Sequence, residues 1–124
     1  PFVDKIKDNY GWTPLHFLAG AGKIEVLSHP SVDKFKDNDG YTPLHFLAKR
    51  GKIEVLSHSS IDKIKDNYGW TPLDRFFRNR DLKKKDFIKL FPWYQLKKNQ
   101  KITEELVRSV LEMKPSDFLL NDIE

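Results

Sequence analysis

The side chains with the widest chemical range in this chain are its four histidines, and they form two pairs 29 residues apart, His16 with His45 and His29 with His58. Such a period could bring imidazoles together as metal ligands. Zinc, however, takes three or four protein donors, and no carboxylate or thiol shares the register of His29 and His58. Cysteine is absent altogether, which also excludes thiol nucleophiles and a disulfide framework. "GAGK" at residues 20–23 imitates part of a phosphate loop, but no Ser or Thr follows the lysine, and the counterpart "KRGK" loses the first glycine. No constellation of convergent ionisable groups emerges, so the expectation is a chain that is not an enzyme and uses neither cofactor nor metal.

The basic residues suggest a different kind of chemistry. The formal net charge is +4 over 124 residues, but it is unevenly spread. Residues 72–101 carry ten Lys and Arg against three acidic residues, whereas residues 102–124 carry two against six. The block from Arg75 to Lys101 could face phosphates or an acidic protein, or simply keep the end of the chain solvated. Phe87, Phe91, Trp93 and Tyr94 lie within it as candidates for stacking on bases. Composition otherwise indicates one modest globular domain, with 39% apolar and 32% charged residues. No apolar run is long enough to span a bilayer, and "PFVDKIKDNY" has no secretory signal pattern. With the missing cysteines, this points to an intracellular, cytoplasmic setting and no membrane partner.

Whatever these residues do, a repeated element must position them. "DNYGWTPLHFLAGAGKIEVLSHP" at residues 8–30 returns as "DNDGYTPLHFLAKRGKIEVLSHS" at 37–59 and begins again as "DNYGWTPLDRFF" at 66. Self-similarity at a fixed period of this size signals stacked supersecondary units. Asp8, Asn9 and Gly11 carry turn chemistry. Thr13 suits a helix N-cap and Pro14 the first helical position, as do Thr42 with Pro43 and Thr71 with Pro72. Leu15, Leu18 and Ala19 form an apolar stripe, and Gly22 and Gly51 stop the helix. Ile24, Val26 and Leu27 predict a second short helix, ended at Ser28-His29-Pro30.

On "GWTPLHFLAGAG", "GYTPLHFLAKRG" and the weaker "GWTPLDRFF", the chain resembles the ankyrin-repeat family. The resemblance implies an all-α solenoid of helix-turn-helix units forming a single domain over residues 1–124. Its segments are the end of a truncated repeat (1–7), repeats at 8–36 and 37–65, a longer repeat at 66–100, and a diverged helical cap at 101–124. The units are four residues shorter than the usual repeat of about 33, and the deficit lies in the second helix. Leu18 and Leu47 stand where the family motif usually has Ala. In the long third repeat "DLKKKDFIKLF" predicts a helix ended by Pro92. In the cap, Leu106, Val107, Val110 and Leu111 fall on one helical stripe, and "PSDFLLND" offers a last short helix. The chain starts mid-repeat, since "PFVDKIKD" aligns with "PSVDKFKD". That predicts repeat sequence upstream and an uncapped face near Leu15, Leu18 and Ile24 able to self-associate.

The resemblance also implies function, namely binding another protein through a concave surface of turn tips and first helices. Its variable contact positions fall on Asn9, Tyr10, Trp12, Gly20 and Ala21, then on Asn38, Asp39, Tyr41, Lys49 and Arg50. In the third repeat they fall on Asn67, Tyr68, Trp70, Arg78 and Asn79. The imidazoles of His16 and His45 are implied to link adjacent loops, and Asp74 replaces that histidine in the third repeat. Trp12, Tyr41 and Trp70 recur beside the turn glycine. Such rings either anchor a partner or cover the turn and pack along the array.

Overall fold

The structure is a computed structural model that describes residues 6–78 and 82–113. All regular structure among them is helical, with no strand. The chain divides into two compact regions, residues 1–80 and 81–124, and the division falls inside the long third repeat expected from the sequence. No helix of the described residues is long and apolar enough to cross a membrane.

In the first region, α1 (Pro14–Gly20), α2 (Pro43–Lys49) and α3 (Pro72–Phe77) open each repeat. Thr13, Thr42 and Thr71 are their N-caps, each accepting from the backbone N–H three residues on, and each proline sits at the start of its helix. Caps of this type contribute about 1 kcal/mol apiece. The third position returns the bond to the cap backbone N–H, through imidazole Nδ1 of His16 and His45 and through Oδ2 of Asp74. At the C-terminus of α1, Gly22 (φ +80°) donates to Ala19 O and Lys23 N–H to Leu18 O. This pair of bonds satisfies carbonyls that the helix leaves open. Gly51 and Lys52 repeat the pattern on α2.

The expected second helix is a single 3-10 turn, Ile24–Ser28 in the first repeat and Ile53–Ser57 in the second. Five residues are few for α-helical bonds, whereas i→i+3 bonds close within so short a stretch. Each turn is then stopped by its histidine, since His29 Nδ1 accepts from Ser31 N–H at 3.1 Å and His58 Nδ1 from Ser60 N–H at 3.0 Å.

Helix α1 packs on α2, and α2 on α3. The dry interior is Leu44, Leu47, Ala48, Val55, Leu56 and Ile61, with Leu73 and Phe76 from the third repeat. Leu18, placed on the apolar stripe by its spacing, is 47% exposed, while its counterpart Leu47 is 0% exposed. The difference lies in neighbours, because α2 packs against both α1 and α3, whereas of these α1 packs against α2 alone.

In the second region, α4 (Lys84–Leu90) ends just before Pro92, and α5 (Glu104–Glu112) is capped by Thr103. Leu82, Phe87 and Phe91 are buried, as are Val107 and Val110 of the expected stripe. Leu106 and Leu111 are half-buried. The short helix expected at "PSDFLLND" lies outside the described residues.

Candidate partner-binding surface

The turns that open the repeats are built alike. Asp8 Oδ1 accepts from Tyr10 N–H and Trp12 N–H, each at 2.9 Å, and Asp37 and Asp66 repeat the pattern. Successive turns are joined at the 29-residue register. Asn38 donates from its backbone to Tyr10 O and from Nδ2 to Asn9 O, and Asn67 does the same to Asp39 O and Asn38 O. The turns approach so closely that a Cβ on Gly11 (φ +79°) would lie 2.7 Å from Asn38 Oδ1. Glycine is required there both for conformation and for space.

The imidazoles complete the link between repeats. His16 Nδ1 accepts from Thr13 N–H at 3.0 Å, so Nε2 carries the proton and donates to Tyr41 O at 2.8 Å. His45 does the same between Thr42 and Trp70 O, at 3.2 and 3.0 Å. Burial lowers both imidazole pKa values below the usual 6.5, only partly opposed by the bond to the carbonyl. Both rings are therefore neutral fasteners. Asp74 keeps the cap of α3 but, as a carboxylate, has no N–H to donate onward.

One face of the first region carries a continuous row of rings and cations. Trp12 meets the edges of Phe17 and Phe46 at 5.3 and 5.5 Å, and Tyr10 lies beside it at 5.3 Å. Phe46 also meets Tyr41 at 5.8 Å. In the third repeat Arg75 occupies the register of Phe17 and Phe46, with its guanidinium 5.1 Å from the Tyr41 ring, 4.5 Å from Trp70 and 5.7 Å from Tyr68. Lys49 lies 4.6 Å from Tyr41, and Arg78 lies 4.8 Å from Trp70. The rings at the turn glycines thus do not touch one another along the array; Phe46 and Arg75 are interleaved between them.

Arg75 could not be singled out by repeat matching, but a paired departure from the repeat signals it. Trp12 Nε1 donates to Asp37 Oδ2 at 2.9 Å. The next repeat has Tyr41 in place of the tryptophan and so lacks that donor. Arg75 supplies it, with Nε 2.9 Å and one terminal nitrogen 2.8 Å from Asp66 Oδ2. Burial alone would raise the Asp66 carboxyl, but hydrogen bonds from Trp70 N–H, Arg75 and Tyr68 N–H outweigh it and hold the pKa below its usual value.

Two open clefts of 480 and 470 Å³ lie on this face. The first brings together Tyr41, Lys49, Tyr68, Trp70 and Arg78 with Arg75 and Phe76. The second brings together Trp12, Gly20, Asp39 and Arg50 with Asp37 and Phe46, and shares Tyr41 and Lys49 with the first. Asn9, Tyr10, Ala21, Asn38 and Asn67 are exposed. Asn79 lies outside the described residues. In the second region Phe87 and Phe91 are 0% and 6% exposed and packed against each other at 5.0 Å, which leaves no face for a base. No cluster of three or more His, Cys, Asp or Glu side chains able to hold a metal occurs among the described residues. Compared with known proteins, the chain matches no family model, and no curated protein matches it.

Proposed function

We propose that this chain is a non-enzymatic protein-interaction module of the ankyrin-repeat type, a short solenoid that binds another protein through the ring-and-cation face of its first region. The supporting observation is the row from Trp12 through Phe46, Tyr41 and Arg75 to Trp70, with Lys49, Arg50 and Arg78 beside it. Half-buried Trp and Tyr with Arg are the residue types that dominate binding energy at interfaces, and here they are fixed in place by the scaffold rather than carried on long loops.

Because Trp12 and Tyr41 also contribute to the links between repeats, the surface is best tested through its exposed cations. The variant Lys49→Glu/Arg50→Glu/Arg78→Glu, checked for unchanged far-UV circular dichroism, is compared with the wild type in pull-downs from an extract of the source organism. Loss of a specific protein is expected; an identical catch from both refutes the reading. The exposed lysines at 83, 84, 85, 89, 97, 98 and 101 favour a second reading, binding of nucleic acid or another acidic ligand. That reading requires affinity to fall steeply with salt.

A further inference from the structure

The residue after the turn glycine meets a different environment in each repeat. The indole N–H of Trp12 is bonded to the carboxylate of Asp37 in the following repeat. Tyr41 has no such donor, and Asp66 turns to Arg75. Trp70 has the donor again but makes no hydrogen bond through it to any described residue. Its ring instead has two guanidinium groups over it, Arg75 and Arg78, at 4.5 and 4.8 Å.

Among the described residues, the charges around Trp70 are unbalanced. Arg75 is neutralised by Asp66, whereas Lys49 and Arg78 form no ion pair with a described residue. No carboxylate lines the 480 Å³ cleft they share with Trp70. A cleft with ring walls and two cations that have no ion-pair partner among the described residues is complementary to a small anion carried on a chain. A nucleic-acid strand fits it poorly, because base stacking needs free ring faces and those of Trp70 and Tyr41 already have Arg75, Arg78 and Lys49 against them.

We propose that this cleft receives the carboxylate of an Asp or Glu side chain from an acidic segment of a partner protein. That carboxylate lies between Lys49 and Arg78, against the Trp70 ring. The proposal rests on the interaction-module reading and narrows it to one ligand chemistry.

The test is a ¹H–¹⁵N NMR titration of the full chain with the peptide acetyl-(Glu-Ser)₅-amide, its Gln-for-Glu counterpart, and a ten-nucleotide oligothymidylate, with indole signals assigned through Trp70→Phe. The Glu peptide is expected to shift the Trp70 indole signal saturably and leave that of Trp12 in place, while the Gln peptide does neither. Arg78→Gln, at an exposed position, should weaken binding about tenfold, the size of one hydrogen bond to a charged group. A Trp70 signal indifferent to the Glu peptide, an equal response to the Gln peptide, or tighter binding of the oligonucleotide at the same signals would each overturn the proposal. If the peptide fails while the charge-reversal variant still loses its captured protein, only this proposal falls; if that variant retains its catch as well, the module reading falls too.

Discussion

Leu18 and Leu47 occupy the same place in two nearly identical helices, "PLHFLAG" and "PLHFLAK", yet one is 47% and the other 0% exposed. Truncating each to alanine therefore measures what packing between repeats contributes, with helix type and local sequence held nearly constant. At Leu47 the loss combines the transfer of a buried side chain with the cavity left between α1 and α3, and Leu→Ala changes in such settings cost about 3 kcal/mol or more. At Leu18 about half of the side chain is already in water and no closed cavity forms, so the cost is about 1 kcal/mol or less. With a urea m-value of about 1.5 kcal/mol/M, the midpoint should fall by about 2 M for Leu47→Ala and by under about 0.7 M for Leu18→Ala. Far-UV circular dichroism in urea, fitted with a shared slope, reads both. Equal shifts, or a larger one at Leu18, would refute the claim that α2 is clasped on both sides.

Two other changes probe the links between repeats. His16 and His45 are buried as neutral rings with lowered pKa values, so below about pH 6.5 the unfolded chain takes up protons that the folded chain refuses. Stability should be complete above that pH and decline as it drops toward the folded-state values, with a shallower decline in His45→Gln; a flat urea midpoint from pH 7 to 5 would contradict this. Asp66, whose pKa is depressed, adds a separate loss at more acidic pH as its carboxylate is protonated. Arg75→Phe should cost about 2 kcal/mol by removing the Asp66 side-chain partner, and adding Tyr41→Trp should restore about 1 kcal/mol by recreating the bond that Trp12 makes to Asp37. Additive effects in that double-mutant cycle would show that the two departures from the repeat are unrelated.

The local features were legible in the sequence because each is written within a few residues. Thr-Pro marks the starts of α1, α2 and α3, Gly22 and Gly51 mark two ends, and Pro92 follows the end of α4. The burial of Leu47 but not Leu18 could not be read locally, since it depends on which helices lie on either side. The 3-10 form of Ile24–Ser28 follows from the shortness of the stretch before His29, which apolar spacing does not register. In the candidate site, the aromatic row was visible beside the turn glycines, and Lys49, Arg50 and Arg78 were placed there by the resemblance, as the family's variable contact positions. Arg75 was not, because its role depends on Tyr41 lacking an indole N–H 34 residues earlier. Phe87 and Phe91, read as possible stacking rings, are core residues of the second region; spacing alone does not distinguish the two.

The stacking register rests on His16 and His45 donating from Nε2 to the carbonyls of Tyr41 and Trp70, and long-range ¹H–¹⁵N correlation of the imidazole rings at neutral pH tests it most directly. Two slowly exchanging N–H protons on Nε2, assigned to His16 and His45 by single glutamine substitutions, are the expected result. Rings protonated on Nδ1, or N–H protons that exchange as freely as those of an exposed histidine, would contradict it.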